Sequence, residues 1–192
     1  MMDTGLFFGS FNPIHIGHLA IANYMLEFTG LDKIWFIVSP HNPLKKEDSL
    51  LDEQERLKLV QLALANDSKI IPSAIEFDLP RPSYTIDTLE HLAKRYTDQQ
   101  FTLILGSDNF TSFHQWKNYR QILAKYAILV YPRAGYNLGK YNEYENITWI
   151  DAPLMEVSST FIRQSLQKGI NIQHFLPCGV YDYIKKNHLY EK

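Results

Sequence analysis

A single cysteine, Cys178, among 192 residues leaves no intramolecular disulfide to be formed, and such usage suits a reducing compartment. The expected location is therefore the cytoplasm. No apolar run approaches the roughly twenty residues that a membrane-spanning helix needs, and the opening Met1-Met2-Asp3-Thr4 lacks the basic-then-apolar character of a secretion signal. No membrane partner is expected. Charge is short on both sides, with 19 Lys and Arg against 21 Asp and Glu for a net charge of −2, so the basic excess that grips nucleic acid is missing. No nucleic-acid partner is expected, and any cation must act locally. Repeats and low-complexity tracts are absent. So are G-x-G-x-x-G and G-K-[ST], which excludes the dinucleotide fingerprint and the P-loop. The scattered His41, His91, His114, His174 and His188 share no ligand spacing with Cys178, so no metal site is expected.

What is present begins at Gly9-Ser10-Phe11-Asn12-Pro13-Ile14-His15-Ile16-Gly17-His18, between the apolar Leu6-Phe7-Phe8 and an amphipathic stretch from Leu19. The order is strand, glycine turn, helix N-terminus. Gly9 removes a Cβ where a ligand approaches the backbone, Pro13 has no N–H to lose at the start of a helix, and Gly17 keeps the first helical turn open. Free amides and the positive end of the helix dipole there favour an anion. His15 and His18, three apart, fall on one side of a helical turn, and both are expected to face that anion. Core histidines or a partial metal site remain alternatives for such a pair.

The length suits one domain over 1–192, with a C-terminal helical portion from about 157. Strands are expected over Lys33–Ser39, at Ile70-Ile71, over Ala74–Phe77, Phe101–Leu105, Ala127–Val130 and Ile147–Ile150. Helices are expected after His18, from an Asp52/Glu55 capping box to about Leu64, after Tyr84-Thr85, and over Ser159–Gln167 and Gly179–Asn187. Strands alternating with helices make an α/β, doubly wound parallel sheet, whose ligands bind beyond the strand C-terminal ends. Polar clusters stand at such ends: the histidine turn, the Pro-Lys loop after Ser39, Gly106-Ser107-Asp108, and Pro132-Arg133.

The block ending His15-Ile16-Gly17-His18 resembles the nucleotidylyltransferase signature H-x-G-H, and Val157-Ser158-Ser159-Thr160-Phe161-Ile162-Arg163 resembles that superfamily's I-S-S-T-x-I-R segment. Over nearly its full length the chain resembles the bacterial nicotinate-nucleotide adenylyltransferases. Ser83-Tyr84-Thr85-Ile86-Asp87-Thr88-Leu89 is similar to their S-Y-T-x-D-T-L block, Gly106-Ser107-Asp108 with Trp116 to G-x-D…W, and Leu176-Pro177, Val180 and Tyr183-Ile184 to their closing helix. Phosphopantetheine adenylyltransferases share only the first motif. This chain departs from the pattern at Phe8, where many relatives have glycine, at Ser10 and Asn12 in place of Thr and Asp, and at Asn42-Pro43-Leu44-Lys45 in place of P-P-H-K.

The resemblance implies a Rossmann-like nucleotidylyltransferase fold and adenylyl transfer from ATP, with Mg²⁺, to nicotinate mononucleotide, giving nicotinate adenine dinucleotide and pyrophosphate. It assigns catalysis to His15, His18 and Arg163. ATP falls to Gly9, Ser10, Phe11, Gly17, His18, Gly106, Asp108, Arg133, Ser158, Ser159, Thr160 and Arg163, with adenine and ribose near Gly106 and Asp108. The mononucleotide falls to Asn12, Lys45, Lys46, Tyr84, Thr85 and Trp116, with Trp116 stacking on the pyridine ring and the amides near Tyr84 and Thr85 meeting its carboxylate. Plainer roles compete: Asp108 as a helix cap, Trp116 as core, Lys45-Lys46 as a solvated loop, Cys178 as an inert buried thiol. The amidated mononucleotide as substrate, or a nucleotide sensor without catalysis, are the rival functions. Oligomeric state stays open, a homo-oligomer included.

Overall fold

The computed structural model describes residues 1–40, 50–136 and 144–191. Six strands, β1 (Met2–Gly9), β2 (Lys33–Val38), β3 (Ile70–Ser73), β4 (Gln99–Gly106), β5 (Ala127–Tyr131) and β6 (Ile147–Trp149), form one sheet in the order β3-β2-β1-β4-β5-β6. Every pairing is parallel. The order reverses between β1 and β4, so their C-terminal ends, Gly9 and Gly106, open the crevice where such sheets bind ligands.

Helices cover both faces because the strands are apolar on both. Along β1, Leu6 joins one buried cluster and Phe7 the other; along β2, Trp35 and Ile37 face one way and Ile34, Phe36 and Val38 the other. Helices α1 (Ile16–Phe28), α2 (Glu53–Ala63), α6 (Ser159–Gln167) and α7 (Val180–Lys186) pack on the Phe7 side through Met25, Leu59, Val60, Ile162 and Ile184. On the Leu6 side lie α3 (Thr85–Arg95), the short α4 (Ser107–Thr111) and α5 (Tyr119–Lys125), contributing Ile86, Leu89, Leu92, Phe110 and Ile122. Each face thus buries a continuous apolar layer, which is why the strands read as unbroken hydrophobic runs rather than alternating ones.

Three local expectations are corrected. The stretch Ala74–Phe77 is no strand: Ile75–Asp78 form a 3₁₀ turn, and Glu76 points into the protein to accept a hydrogen bond from the Thr88 hydroxyl at 2.7 Å. Asp52 caps α2 alone, accepting from the Gln54 N–H, while Glu55 turns away to accept from the Tyr183 hydroxyl. Cys178 is exposed; the preceding Leu176 and Pro177 are the buried residues of that turn. No helix among the described residues is long and apolar enough to cross a membrane.

Candidate active site

A cleft of about 350 Å³ opens at the β1/β4 crevice. Its floor is the turn after β1. Phe11 takes up φ 43° there, a left-handed conformation that a non-glycine residue holds only when its surroundings compensate. Burial of its ring against Phe7 and Phe36 supplies that compensation. The ring also explains Gly9: a Cβ at that position would sit 2.9 Å from it. Gly9 therefore makes room for the Phe11 ring.

His15 is the N-cap of α1 and His18 its third residue. Their rings stack with centroids 3.7 Å apart, and the His15 N–H donates to His18 Nδ1 at 3.2 Å, which leaves the proton of the neutral His18 imidazole on Nε2. His15 is buried, and its pKa is brought down to about 4 by that burial and by the nearby Arg133 charge. It is a neutral imidazole at physiological pH. Gly17 lies outside the cleft but serves it, since a Cβ there would come within 3.1 Å of His15 Nδ1.

The second motif arrives from the far end of the chain. Ser158 caps α6, accepting from the Phe161 N–H at 3.2 Å. Ser159 Oγ donates to the Pro13 carbonyl at 2.9 Å, and Arg163 Nη1 donates to the Asn12 carbonyl at 2.8 Å. These two bonds tie the segments together across 146 and 151 residues of sequence. Arg163 Nη2 also reaches Thr160 Oγ1 at 3.3 Å. Gly9, Ser10, Phe11, Asn12, His15, His18, Ser158, Ser159, Thr160 and Arg163 all line one cleft.

Asp108 and Arg133 also line the cleft. Arg133 Nη1 donates to the Met155 carbonyl at 3.1 Å, its N–H bonds to Ser107 Oγ at 2.9 Å, and its Nε stands 3.9 Å from Asp108 Oδ1. Asp108 Oδ1 is buried and has no hydrogen-bond partner among the described residues. It caps no helix, because Gly106 holds that position at α4. Gly106 lies beneath it, outside the lining, where a Cβ would meet Asp108 Oδ1 at 2.3 Å. Burial raises the pKa of the neighbouring Tyr131 phenol, which stays neutral.

Tyr84, Thr85 and Trp116 do not line the cleft. Tyr84 is the N-cap of α3, with the Lys117 ammonium 4.7 Å from its ring centroid. Trp116 packs on Phe113 at 5.2 Å, with its Nε1 buried and unpartnered. Both pack against the apolar cluster that also carries Phe8, a residue of the cleft lining. Lys45 and Lys46 fall outside the described residues.

Leu50, Asn109, Tyr131 and, behind the wall, Arg56 escape a motif reading. Arg56 had a signal: it precedes the buried Leu59 and Val60 by three and four residues, a charge on the apolar face of α2.

Residues 6–165 match the cytidylyltransferase-like family. A Flavobacterium johnsoniae protein named "Probable nicotinate-nucleotide adenylyltransferase" is 52% identical over all of both chains, and one of the same name from Bacteroides fragilis is 50% identical over 94% of this chain and 90% of its own. The chain belongs to the nicotinate-nucleotide adenylyltransferases of the cytidylyltransferase-like family. For the family fold, the solved Plasmodium falciparum nicotinic acid mononucleotide adenylyltransferase complexed with NaAD superposes with a TM-score of 0.85 at 20% identity, covering 99% of this chain and 98% of that one. The same enzyme complexed with APC gives 0.83 over the same shares.

Proposed function

We propose that this chain transfers the adenylyl group of ATP to nicotinate mononucleotide, releasing pyrophosphate and nicotinate adenine dinucleotide, as a cytoplasmic step of NAD synthesis. The observation that carries the reading is the pair of bonds from Ser159 to Pro13 and from Arg163 to Asn12, which put two phosphate-binding motifs into one cleft at the sheet's switch point. The names of its relatives support the same acceptor.

In the reaction a 5′-phosphate oxygen of the mononucleotide attacks the α-phosphorus of ATP, and the bond from that phosphorus to the bridging oxygen breaks in line. The electron pair leaves with pyrophosphate. Chemistry of this type needs alignment and charge stabilisation rather than a protein nucleophile. His18 Nε2–H donates to the phosphates as charge builds, with neutral His15 stacked beneath it to fix the ring. Arg163 and Arg133 supply guanidinium donors, and Ser158, Ser159 and Thr160 bring the α6 N-terminus to the triphosphate. Asp108 accepts from the adenosine hydroxyls through its carboxylate. Asn12, and Lys45 or Lys46, meet the mononucleotide; Trp116 stacks on its pyridine ring, and the amides near Tyr84 and Thr85 hold its carboxylate.

A magnesium ion bound with ATP would supply further positive charge to the triphosphate. Among the described residues no group of three His, Cys, Asp or Glu side chains is placed to hold a metal ion, so the protein's contribution to charge is read from its own donors.

Pyrophosphate release with ATP and either nicotinate or nicotinamide mononucleotide tests the assignment. The acid is expected to be preferred by at least about tenfold in kcat/KM, because the amide cannot make the charge-assisted bonds to the α3 amides. Equal or amide-preferring turnover would make the amidated mononucleotide the substrate. Binding of ATP without any turnover would leave a nucleotide sensor.

A further inference from the structure

Arg56 touches the back of the cleft and none of its interior. The side chain is fully buried, at 0% exposure. Nε donates to the Leu51 carbonyl at 2.8 Å, Nη1 to the carbonyls of Ser10 and Ser39, both at 2.7 Å, and Nη2 to the Pro40 carbonyl at 2.9 Å. No ion pair among the described residues includes it. A buried cation solvated by main-chain carbonyls is an expensive way to fill space, since an apolar side chain of similar size would pack there without desolvating a charge. Its partners explain why it stands there: Ser10 lines the cleft, and Ser39 and Leu51 are hydrogen-bonded to Gly9 and Asn12, which do.

Ser10 is in the turn beneath the histidines. Ser39 and Pro40 follow β2, and the Ser39 N–H is bonded to the Gly9 carbonyl at 2.9 Å. Leu51 precedes α2, and its N–H donates to Asn12 Oδ1 at 3.2 Å, beside the cleft residue Leu50. One planar fork thus fixes three stretches of chain at once. A carbonyl that accepts from a cation also polarises its own peptide unit, so the Phe11 N–H at the other end of the Ser10–Phe11 peptide becomes a better donor toward an anion in the turn.

We propose that Arg56 is a positioning residue for adenylyl transfer: through the Ser10 carbonyl it sets the anion-binding turn, and through Leu51 it sets the Asn12 side chain. This rests on the adenylyl-transfer reading. Lysine in its place keeps the charge and loses the fork, because one ammonium cannot span the carbonyls of Ser10, Ser39, Pro40 and Leu51 together.

The test compares wild type, Arg56→Lys and Arg56→Ala with ATP and nicotinate mononucleotide, with rates expressed per folded molecule from near-ultraviolet circular dichroism. Arg56→Lys is expected to lose about 30-fold in kcat/KM, mostly in kcat, the signature of a misplaced turn rather than weaker ground-state binding. Arg56→Ala is expected to regain at least about fivefold when millimolar guanidinium is added, and not with methylammonium, since only the planar ion refills the fork. If Arg56→Ala does not fold, Arg56→Lys decides. Arg56→Lys turnover within about threefold of wild type, a loss that follows the unfolded fraction alone, or no recovery with guanidinium would each overturn the proposal. An active wild type with unaffected Arg56 variants removes this inference only. A wild type inert toward both substrates removes the adenylyl-transfer reading and this inference with it.

Discussion

The phosphate end and the aromatic end of the proposed substrate site, the second of them outside the cleft lining, are built on different principles. At the phosphate end, Pro13, Asn12 and Ser10 offer carbonyls to Ser159, Arg163 and Arg56, so main-chain geometry is fixed by hydrogen bonds from remote side chains. At the aromatic end, Trp116 rests on Phe113, Lys117 lies over Tyr84 and pairs with Asp87, and the contacts run between side chains, several of them exposed. On the proposed reading, the first arrangement holds donors where charge develops and the second offers a surface for a flat ring. Damage to the phosphate end is therefore expected in kcat, and damage to the aromatic end in KM.

The largest effect is expected from His18→Ala. Loss of a donor aimed at the phosphates is expected to lower kcat by more than about 100-fold with the thermal transition retained, as read by pyrophosphate release and circular dichroism. Next, Trp116→Ala is expected to raise KM for nicotinate mononucleotide about tenfold while KM for ATP changes by less than about twofold. An equal rise in both would erase the distinction between the two ends.

The smallest effect concerns stability and pH. Burial and Arg133 hold the His15 pKa near about 4 against the ordinary 6.5, so in the window between those values the unfolded chain binds the extra proton. His15's contribution is fully present above pH 6.5 and is lost as pH falls toward about 4. Denaturant melts at about pH 7 and about pH 5 are expected to show a loss on the order of 2 kcal/mol in wild type that His15→Gln lacks. Glu76 works in the opposite sense: burial raises its carboxyl pKa above 4.5, so its contribution declines as pH rises from there. The difference between variant and wild type isolates His15. A slope unchanged in His15→Gln would remove the buried neutral imidazole from the account.

The phosphate end was largely legible from sequence. Glycine, proline and histidine at fixed spacing, with Ser158 to Arg163 as a second block, carry their chemistry in local order, and the strand pattern gave the crevice its place. Other features depend on contacts that no local pattern encodes. Gly9 reads as room for a ligand until Phe11 turns back over it. The residues Ala74 to Phe77 carry strand-forming side chains, yet Thr88 on a neighbouring helix draws Glu76 inward and the backbone coils. Arg56 shows in the sequence only as a charge on the apolar face of α2, and its four acceptors, in the turn after β1, just after β2 and just before α2, are set by the fold.

The central claim is that the turn bearing His18 and the helix bearing Arg163 work as one adenylyl-transfer site, and a double-mutant cycle on dinucleotide formation from ATP and nicotinate mononucleotide tests it most directly. His18→Ala and Arg163→Ala are each expected to cost about 100-fold or more, and the double variant to lose far less than the product of the two. Losses that multiply in full would show two independent sites and contradict it.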